Sequence, residues 1–191
     1  MRYTAKSLPK LAFTPHDDML RTFKLIYHAG KVRLGFLIMA CAMAGIAVSP
    51  GATPASWQVL VLGLAVLVSS SVAGAFNQLY ERDLDARMKR TRKRAFVTGS
   101  LRASGYWWVA LALLLLVSIV AAALATNIEA AVYIFLGAFT YGIVYTVWLK
   151  PRTWLNIDIG GLAGSFAVMA GSAATGATLA PAPLILALVL F

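Results

Sequence analysis

Asn77-Gln78-Leu79-Tyr80-Glu81-Arg82-Asp83-Leu84-Asp85-Ala86-Arg87-Met88-Lys89-Arg90-Thr91-Arg92-Lys93-Arg94 follows directly on an uncharged apolar run from Trp57 to Phe76. About 20 helical residues at about 1.5 Å each cross a hydrocarbon core of about 30 Å, so the run is a transmembrane helix and Asn77 stands at its end. Working outward, similar runs recur at Leu34 to Val48, Tyr106 to Ala125, Ala130 to Trp148 and Leu155 to Ala177, and another starts near Pro183. The expected fold is an all-α polytopic bundle with about five full spans and the start of a sixth.

Composition agrees. Of 191 residues, 60% are hydrophobic and 13% charged, against roughly 45–50% and about 25% in soluble domains. A water-soluble globule is excluded. Five crossings place alternate loops on opposite sides, which the distribution of Lys and Arg tests. Seven precede the first span, eight lie in the loop after the second and two, Lys150 and Arg152, follow the fourth, accounting for all 17. The loops Ser49 to Ser56, Thr126 to Glu129 and Thr178 to Ala182 carry none. The N-terminus and the basic loop are therefore expected on the cytoplasmic side of a multi-pass protein, in a bacterial cytoplasmic membrane. The net charge of +10 calls for membrane lipid or an anionic substrate, and not nucleic acid, as its partner. A single cysteine, Cys41, allows no intrachain disulfide and reads as apolar filler.

One membrane domain is expected over residues 1–191, with a polar lead-in at 1–32 and the bundle at 33–191. Met1 to Asp18 lacks the apolar core of a signal peptide. Leu20 to His28 is either an amphipathic helix on the anionic leaflet or a plain linker. Leu184 to Phe191 supplies about half a span, so the chain reads as truncated at its C-terminus.

Asn77, Glu81 and Asp85 recur at i, i+4, i+8, which puts three oxygen-bearing side chains on one face of a regular helix. Two carboxylates and an amide suit Mg²⁺, a hard cation that completes its shell with water and phosphate. Asp83 points elsewhere if the helix stays regular, and joins the metal set if the helix ends and the acidic loop wraps. A plainer reading makes Asp83–Arg87 and Asp85–Lys89 surface ion pairs of about 0.2–0.5 kcal/mol each. Polar groups at the hydrocarbon boundary favour the metal site. Lys89 to Arg94 holds five cations in six residues, facing either lipid headgroups or a diphosphate.

The run Asn77 to Arg94 resembles the first acidic motif of the UbiA-type membrane prenyltransferases, and most closely the branch that farnesylates protoheme IX. A second match covers Tyr145 to Trp154 and continues through Asn156-Ile157 and Ile159-Gly160-Gly161 to Gly164. Where that family often has Lys-Pro-Arg near the first span, Gly30-Lys31-Val32-Arg33 stands here. The resemblance implies a bundle of nine spans with two acidic motifs that bind Mg²⁺ and a prenyl diphosphate, the second motif lying beyond residue 191. It implies transfer from farnesyl diphosphate to a vinyl group of heme b, with Asn77, Glu81 and Asp85 as the catalytic, metal-holding set. Arg82, Lys89, Arg90, Arg94, Tyr145, Lys150 and Arg152 are the expected substrate-binding residues. Alternatives are a quinone-precursor or chlorin acceptor, or a non-catalytic membrane remnant.

Tyr141, Tyr145 and Trp148 make an aromatic face on the fourth span, either an interfacial belt or a shield for an allylic cation. Asp158 is expected to face the bundle or the interface, toward Lys150 or Arg152. His28 reads as interfacial, and Gly160, Gly161 and Gly164 as small-residue helix packing.

Overall fold

Each apolar run is helical in the computed structural model, which describes the backbone of residues 15–191 and side chains from Met19 onward. The expected lead-in lies outside the described residues over 1–14. The elements are α1 (Pro15–Ala29), α2 (Val32–Val48), α3 (Ser56–Tyr80), the single turn α4 (Arg82–Asp85), α5 (Gly105–Ala125), α6 (Ile128–Phe139), α7 (Asn156–Ala174) and α8 (Pro181–Val189). Helix α6 runs on without interruption into a π-helical segment, Thr140–Leu149. Described residues contain no strand.

Helix α3, α5, the combined α6 and π segment, and α7 are each long and apolar enough to cross a membrane. Helix α2 meets α1 at a 52° bend, and the two together are long and apolar enough to count as a fifth, broken span. That bend turns α1 out of the bundle, so Met19, Leu20, Phe23 and Ile26 are exposed beside Arg21 and Lys24. This is the amphipathic pattern of a helix lying along a leaflet.

Helix α3 packs on α2, α2 on α7, α7 on α6, α6 on α5, and α5 back on α3, closing a ring. Small side chains fill its centre: Ala42, Ala65, Ala122, Ala130, Ala167, Ala170 and Ala173 are buried with Leu62, Val66 and Ile134. Large apolar groups point outward, among them Leu113, Leu116, Val117 and Leu124 of α5. In water this inverted distribution would aggregate; in lipid, where tails are as apolar as Leu, close backbone packing of small residues holds the helices instead. The tightest approach is between α2 and α7, where Gly45 faces the Val168 carbonyl and Gly171 the Ala42 carbonyl with no room for a side chain.

Polar side chains close the end away from the basic loop. Asn127 caps α6 by accepting from the Ala130 amide at 2.8 Å and donates to the Ala173 carbonyl of α7 at 2.7 Å. Gln58 donates to the Ala125 carbonyl at 2.6 Å, and Ser49 to Ser172 at 2.9 Å. At the other end, residues 86–104 form a chain of turns anchored by Phe96 and Leu101, both buried against Leu79 and Leu111. Phe96 meets Trp107 edge-on at 5.3 Å. This anchoring folds the basic loop back under α3, which carries Arg94 to the end of the acidic motif.

Candidate active site

The acidic motif does not lie on one regular helix. Helix α3 ends at Tyr80, Glu81 sits at φ −88°, ψ 5°, and α4 adds one turn. Despite that break Asn77, Glu81 and Asp85 all point inward, exposed by only 1%, 5% and 2%. Asp83 turns the opposite way: its side chain is 88% exposed and lies 3.6 Å from Arg82. The surface pairs Asp83–Arg87 and Asp85–Lys89 do not form, because the chain leaves helical geometry after Asp85 and the inward carboxylates have other partners.

Each inward oxygen carrier meets its own cation. Lys31 Nζ donates to Asn77 Oδ1 at 3.0 Å, Lys150 Nζ to Glu81 Oε2 at 2.6 Å, and Arg94 Nη1 to Asp85 Oδ2 at 2.5 Å. These cations come from three separate places: the α1–α2 bend, the end of the π segment and the basic loop. Burying a carboxylate is tolerable only with such pairing, since an isolated buried charge costs several kcal/mol. Thr91 tightens the loop by donating to the Asp85 carbonyl at 3.0 Å.

Lys31 is the residue that motif reading missed. It was legible only as part of Gly30-Lys31-Val32-Arg33, and charge counting grouped it with the cytoplasmic anchors. Its backbone is left-handed, at φ 49° and ψ 42°, a conformation that is uncommon outside glycine and clusters at functional sites. The close crossing of α3 under this bend explains the geometry: a side chain at Gly74 would come within 2.8 Å of the Gly30 carbonyl. Lys31 sits at the bend between α1 and α2, outside both helices, where burial first, and then the Arg94 charge, hold its ammonium below the ordinary lysine range. The same ammonium donates to the Tyr141 hydroxyl at 2.8 Å.

Tyr141 and Tyr145 stack with ring centres 5.1 Å apart and planes 8° from parallel. Lys150 Nζ lies 5.8 Å from the Tyr145 ring centre, within reach of a cation–π attraction. Trp148 is exposed, as an interfacial residue would be.

Of the expected substrate-binding residues, the structure brings Arg94, Tyr145 and Lys150 to the inward carboxylates. Arg82 is half-buried at the rim beside Asp83, and Lys89, Arg90 and Arg152 are exposed. Arg152 donates to the Trp148 carbonyl at 2.8 Å. Asp158 is exposed and makes no ion pair among the described residues; it lies on the outer side of α7, facing neither Lys150 nor Arg152. Gly164 likewise departs from expectation, since nothing lies within 4 Å of where its side chain would be.

That open space is a cavity of about 310 Å³ between α2, α3, α6 and α7, walled almost entirely by apolar groups. Lys31 and Tyr141 stand at its polar end. Ile38, Cys41, Tyr133 and Ala167 line its interior, so Cys41 borders a cavity and is not simple filler. Gly160 and Gly161 contribute their bare backbone, and Gly160 lies flat against the Tyr145 ring. The arrangement can therefore hold an anion between Lys31, Lys150 and Arg94 while an apolar tail occupies the helix bundle.

In donor type the three inward side chains fit a hard divalent cation: two carboxylates and an amide oxygen are the ligands magnesium takes. Among the described residues no group of three His, Cys, Asp or Glu side chains is placed to hold a metal ion.

Comparison with known proteins accords with this geometry. The chain is 50% identical over 173 residues to protoheme IX farnesyltransferase 2 of Paramagnetospirillum magneticum, covering 91% of this chain and 60% of that protein. It is 43% identical to protoheme IX farnesyltransferase 1 of the same organism, covering 89% of this chain and 59% of that protein. It is 40% identical to protoheme IX farnesyltransferase of Metallosphaera sedula, with 88% and 58% covered. The chain thus spans about 60% of the length of these relatives. No solved structure matches it. The UbiA prenyltransferase family matches residues 38–191, from the middle of α2 through the acidic motif and the π segment to the last residue, and the chain belongs to that family of membrane proteins.

Proposed function

We propose that this chain carries the first acidic half of a site that transfers a farnesyl group from farnesyl diphosphate to a vinyl carbon of protoheme IX. One observation carries the reading: three buried oxygen carriers, each held by a separate cation, stand at the polar end of an apolar cavity. An anionic head and a long apolar tail on one molecule match that juxtaposition. The acceptor follows from the names of the relatives at 40–50% identity.

UbiA prenyltransferases generally use Mg²⁺. In this reading Asn77 Oδ1, Glu81 and Asp85 hold it, and when bound it neutralises diphosphate charge as the allylic C–O bond breaks. Lys31, Lys150 and Arg94 exchange carboxylate and amide oxygens for phosphate oxygens, donating to the group that leaves with the bonding electron pair. The stacked Tyr141 and Tyr145 rings border the allylic carbon and stabilise its positive charge by roughly 0.5–2 kcal/mol per ring. The vinyl π electrons then form the new carbon–carbon bond, and the positive charge this leaves on the adjoining vinyl carbon is discharged by addition of water with loss of a proton. The apolar cavity keeps water from the allylic cation before that bond forms. The cytoplasmic placement of the N-terminus and the basic loop belongs to the same proposal, as does a single membrane domain over the chain.

Binding separates the roles of the two aspartates. In the purified chain, farnesyl diphosphate titrated at stepped Mg²⁺ concentrations should bind with Mg²⁺-dependent affinity. Asp85→Ala should lower that affinity at least about 10-fold, the loss expected when a charge-assisted site partner of roughly 1.5–3 kcal/mol goes. Asp83→Ala should leave it unchanged, because that carboxylate faces solvent. Equal losses at both positions would overturn the assignment.

A further inference from the structure

We infer that Thr146 is a positioning residue: its hydroxyl, aimed by the π-helical turn, fixes which end of the Asn77 amide faces the cation site. The inference rests on reading Asn77 as a metal-facing oxygen. The two ends of an asparagine side chain have nearly the same shape, yet only the oxygen can hold a cation or accept from an ammonium. A buried asparagine in such a site therefore needs neighbours that reject the wrong orientation.

Thr146 supplies that rejection through the direction of its single proton. The hydroxyl donates to the Tyr141 carbonyl at 2.8 Å, so its proton is committed. Toward Asn77 it can only accept, and it receives a hydrogen bond from Nδ2 at 3.2 Å. A flipped amide would set oxygen against oxygen with no proton between them. Both side chains are buried, Asn77 exposed by 1% and Thr146 by 2%, so the flipped form would hold two unpaired oxygens against each other away from solvent.

The commitment of that proton comes from the unusual helix. In an α-helix a threonine hydroxyl bonds the carbonyl three or four residues back, which would be Ile143 or Gly142. In the π segment Thr140–Leu149 it reaches five residues back, to Tyr141. The wider turn thus sets the hydroxyl proton, the proton sets the amide and the amide presents Oδ1 inward. Lys31, a pure donor, makes the same demand on Oδ1 from the other side. Once the Lys31 ammonium turns to phosphate oxygens, Thr146 is the contact that still holds the amide in place.

The test uses the full chain in detergent, measuring farnesyl diphosphate binding by calorimetry across a Mg²⁺ series and Mn²⁺ binding by electron paramagnetic resonance. Thr146→Val keeps the shape and removes the hydroxyl. It should raise the Mg²⁺ concentration needed for half-saturation about 10-fold, the lower end of the effect of removing a group that orients a metal ligand. Affinity without Mg²⁺ should not change. Thr146→Ser should restore the wild-type Mg²⁺ response. Adding Thr146→Val to Asn77→Asp, which has an oxygen at both ends, should cost much less than in the wild type. Thr146→Ala is the second route if the valine variant does not accumulate, with the same expected loss. An unchanged Mg²⁺ response in Thr146→Val or Thr146→Ala, or a loss in Thr146→Ser as large as theirs, would overturn the inference. Asn77→Ala distinguishes the two levels: if it leaves the Mg²⁺ response intact, the metal reading itself has failed, whereas a loss there beside an unaffected Thr146→Val strikes only the positioning role.

Discussion

Substituting Gly171 with alanine should destabilise the protein, although the same change in an open helix would stabilise it. A side chain at Gly171 would lie 1.9 Å from the Ala42 carbonyl oxygen, and one at Gly45 would lie 2.2 Å from the Val168 carbonyl oxygen. Both obstacles are backbone, so no side chain can rotate away. Reaching ordinary contact near 3.4 Å requires α2 and α7 to part by about 1.5 Å. A gap of about 0.5–1 Å already forfeits a quarter to a half of each dispersion contact, and this crossing buries Ala42, Val168, Ala170 and Ala173. The Ser49–Ser172 hydrogen bond, 2.9 Å long beside the crossing, adds about 1 kcal/mol at risk. Against these losses, Gly to Ala in a helix gains about 1 kcal/mol. Overpacking typically costs about 1–3 kcal/mol, and with the hydrogen bond the loss wins by about 2 kcal/mol. Unfolding of the detergent-solubilised chain followed by tryptophan fluorescence measures it. Gly164→Ala, which meets nothing within 4 Å, is the control and should gain up to about 1 kcal/mol. Gly45→Ala combined with Gly171→Ala should cost less than the two single losses added, since one separation relieves both clashes. Gly171→Ala as stable as the wild type would refute the close crossing.

Lys150→Met should cost about 3–5 kcal/mol by leaving Glu81 buried without its partner, whereas Lys150→Met with Glu81→Gln should recover most of it; the same unfolding assay reads both, and equal stability of single and double variants would argue against the pair. Topology is tested by cysteine labelling in intact cells, in a Cys41→Ala background: Thr53→Cys should react with an impermeant thiol reagent from outside, and labelling of Lys93→Cys under those conditions would invert the assigned orientation.

The crossings and the inward acidic set were legible in the sequence because both depend on local properties. Apolar runs of 15 to 23 residues must be helical in lipid, where every backbone polar group needs an internal partner, and the helices fall within a few residues of those runs. Asn77, Glu81 and Asp85 were readable from spacing, even though the helix breaks at Glu81, since a break of one residue still returns Asp85 to the inner side. The resemblance of Asn77 to Arg94 to a prenyltransferase motif likewise resides in consecutive residues.

What only the tertiary structure decided is which cation answers which oxygen. Spacing paired Asp85 with Lys89, four residues away, but the partner is Arg94, delivered by a loop that Phe96 and Leu101 anchor to α3 and α5. Lys150 reaches Glu81 and Lys31 reaches Asn77 across 69 and 46 residues of chain, distances over which no periodicity carries information. Tyr141-Gly142-Ile143-Val144-Tyr145-Thr146 likewise reads as ordinary apolar helix, and only the structure shows the π turn in which the Thr146 hydroxyl reaches the Tyr141 carbonyl. Hydrophobic length is a property of each segment alone, so sequence determines where the chain crosses; a hydrogen bond between buried groups depends on how separate segments meet, so packing determines what the crossings can do.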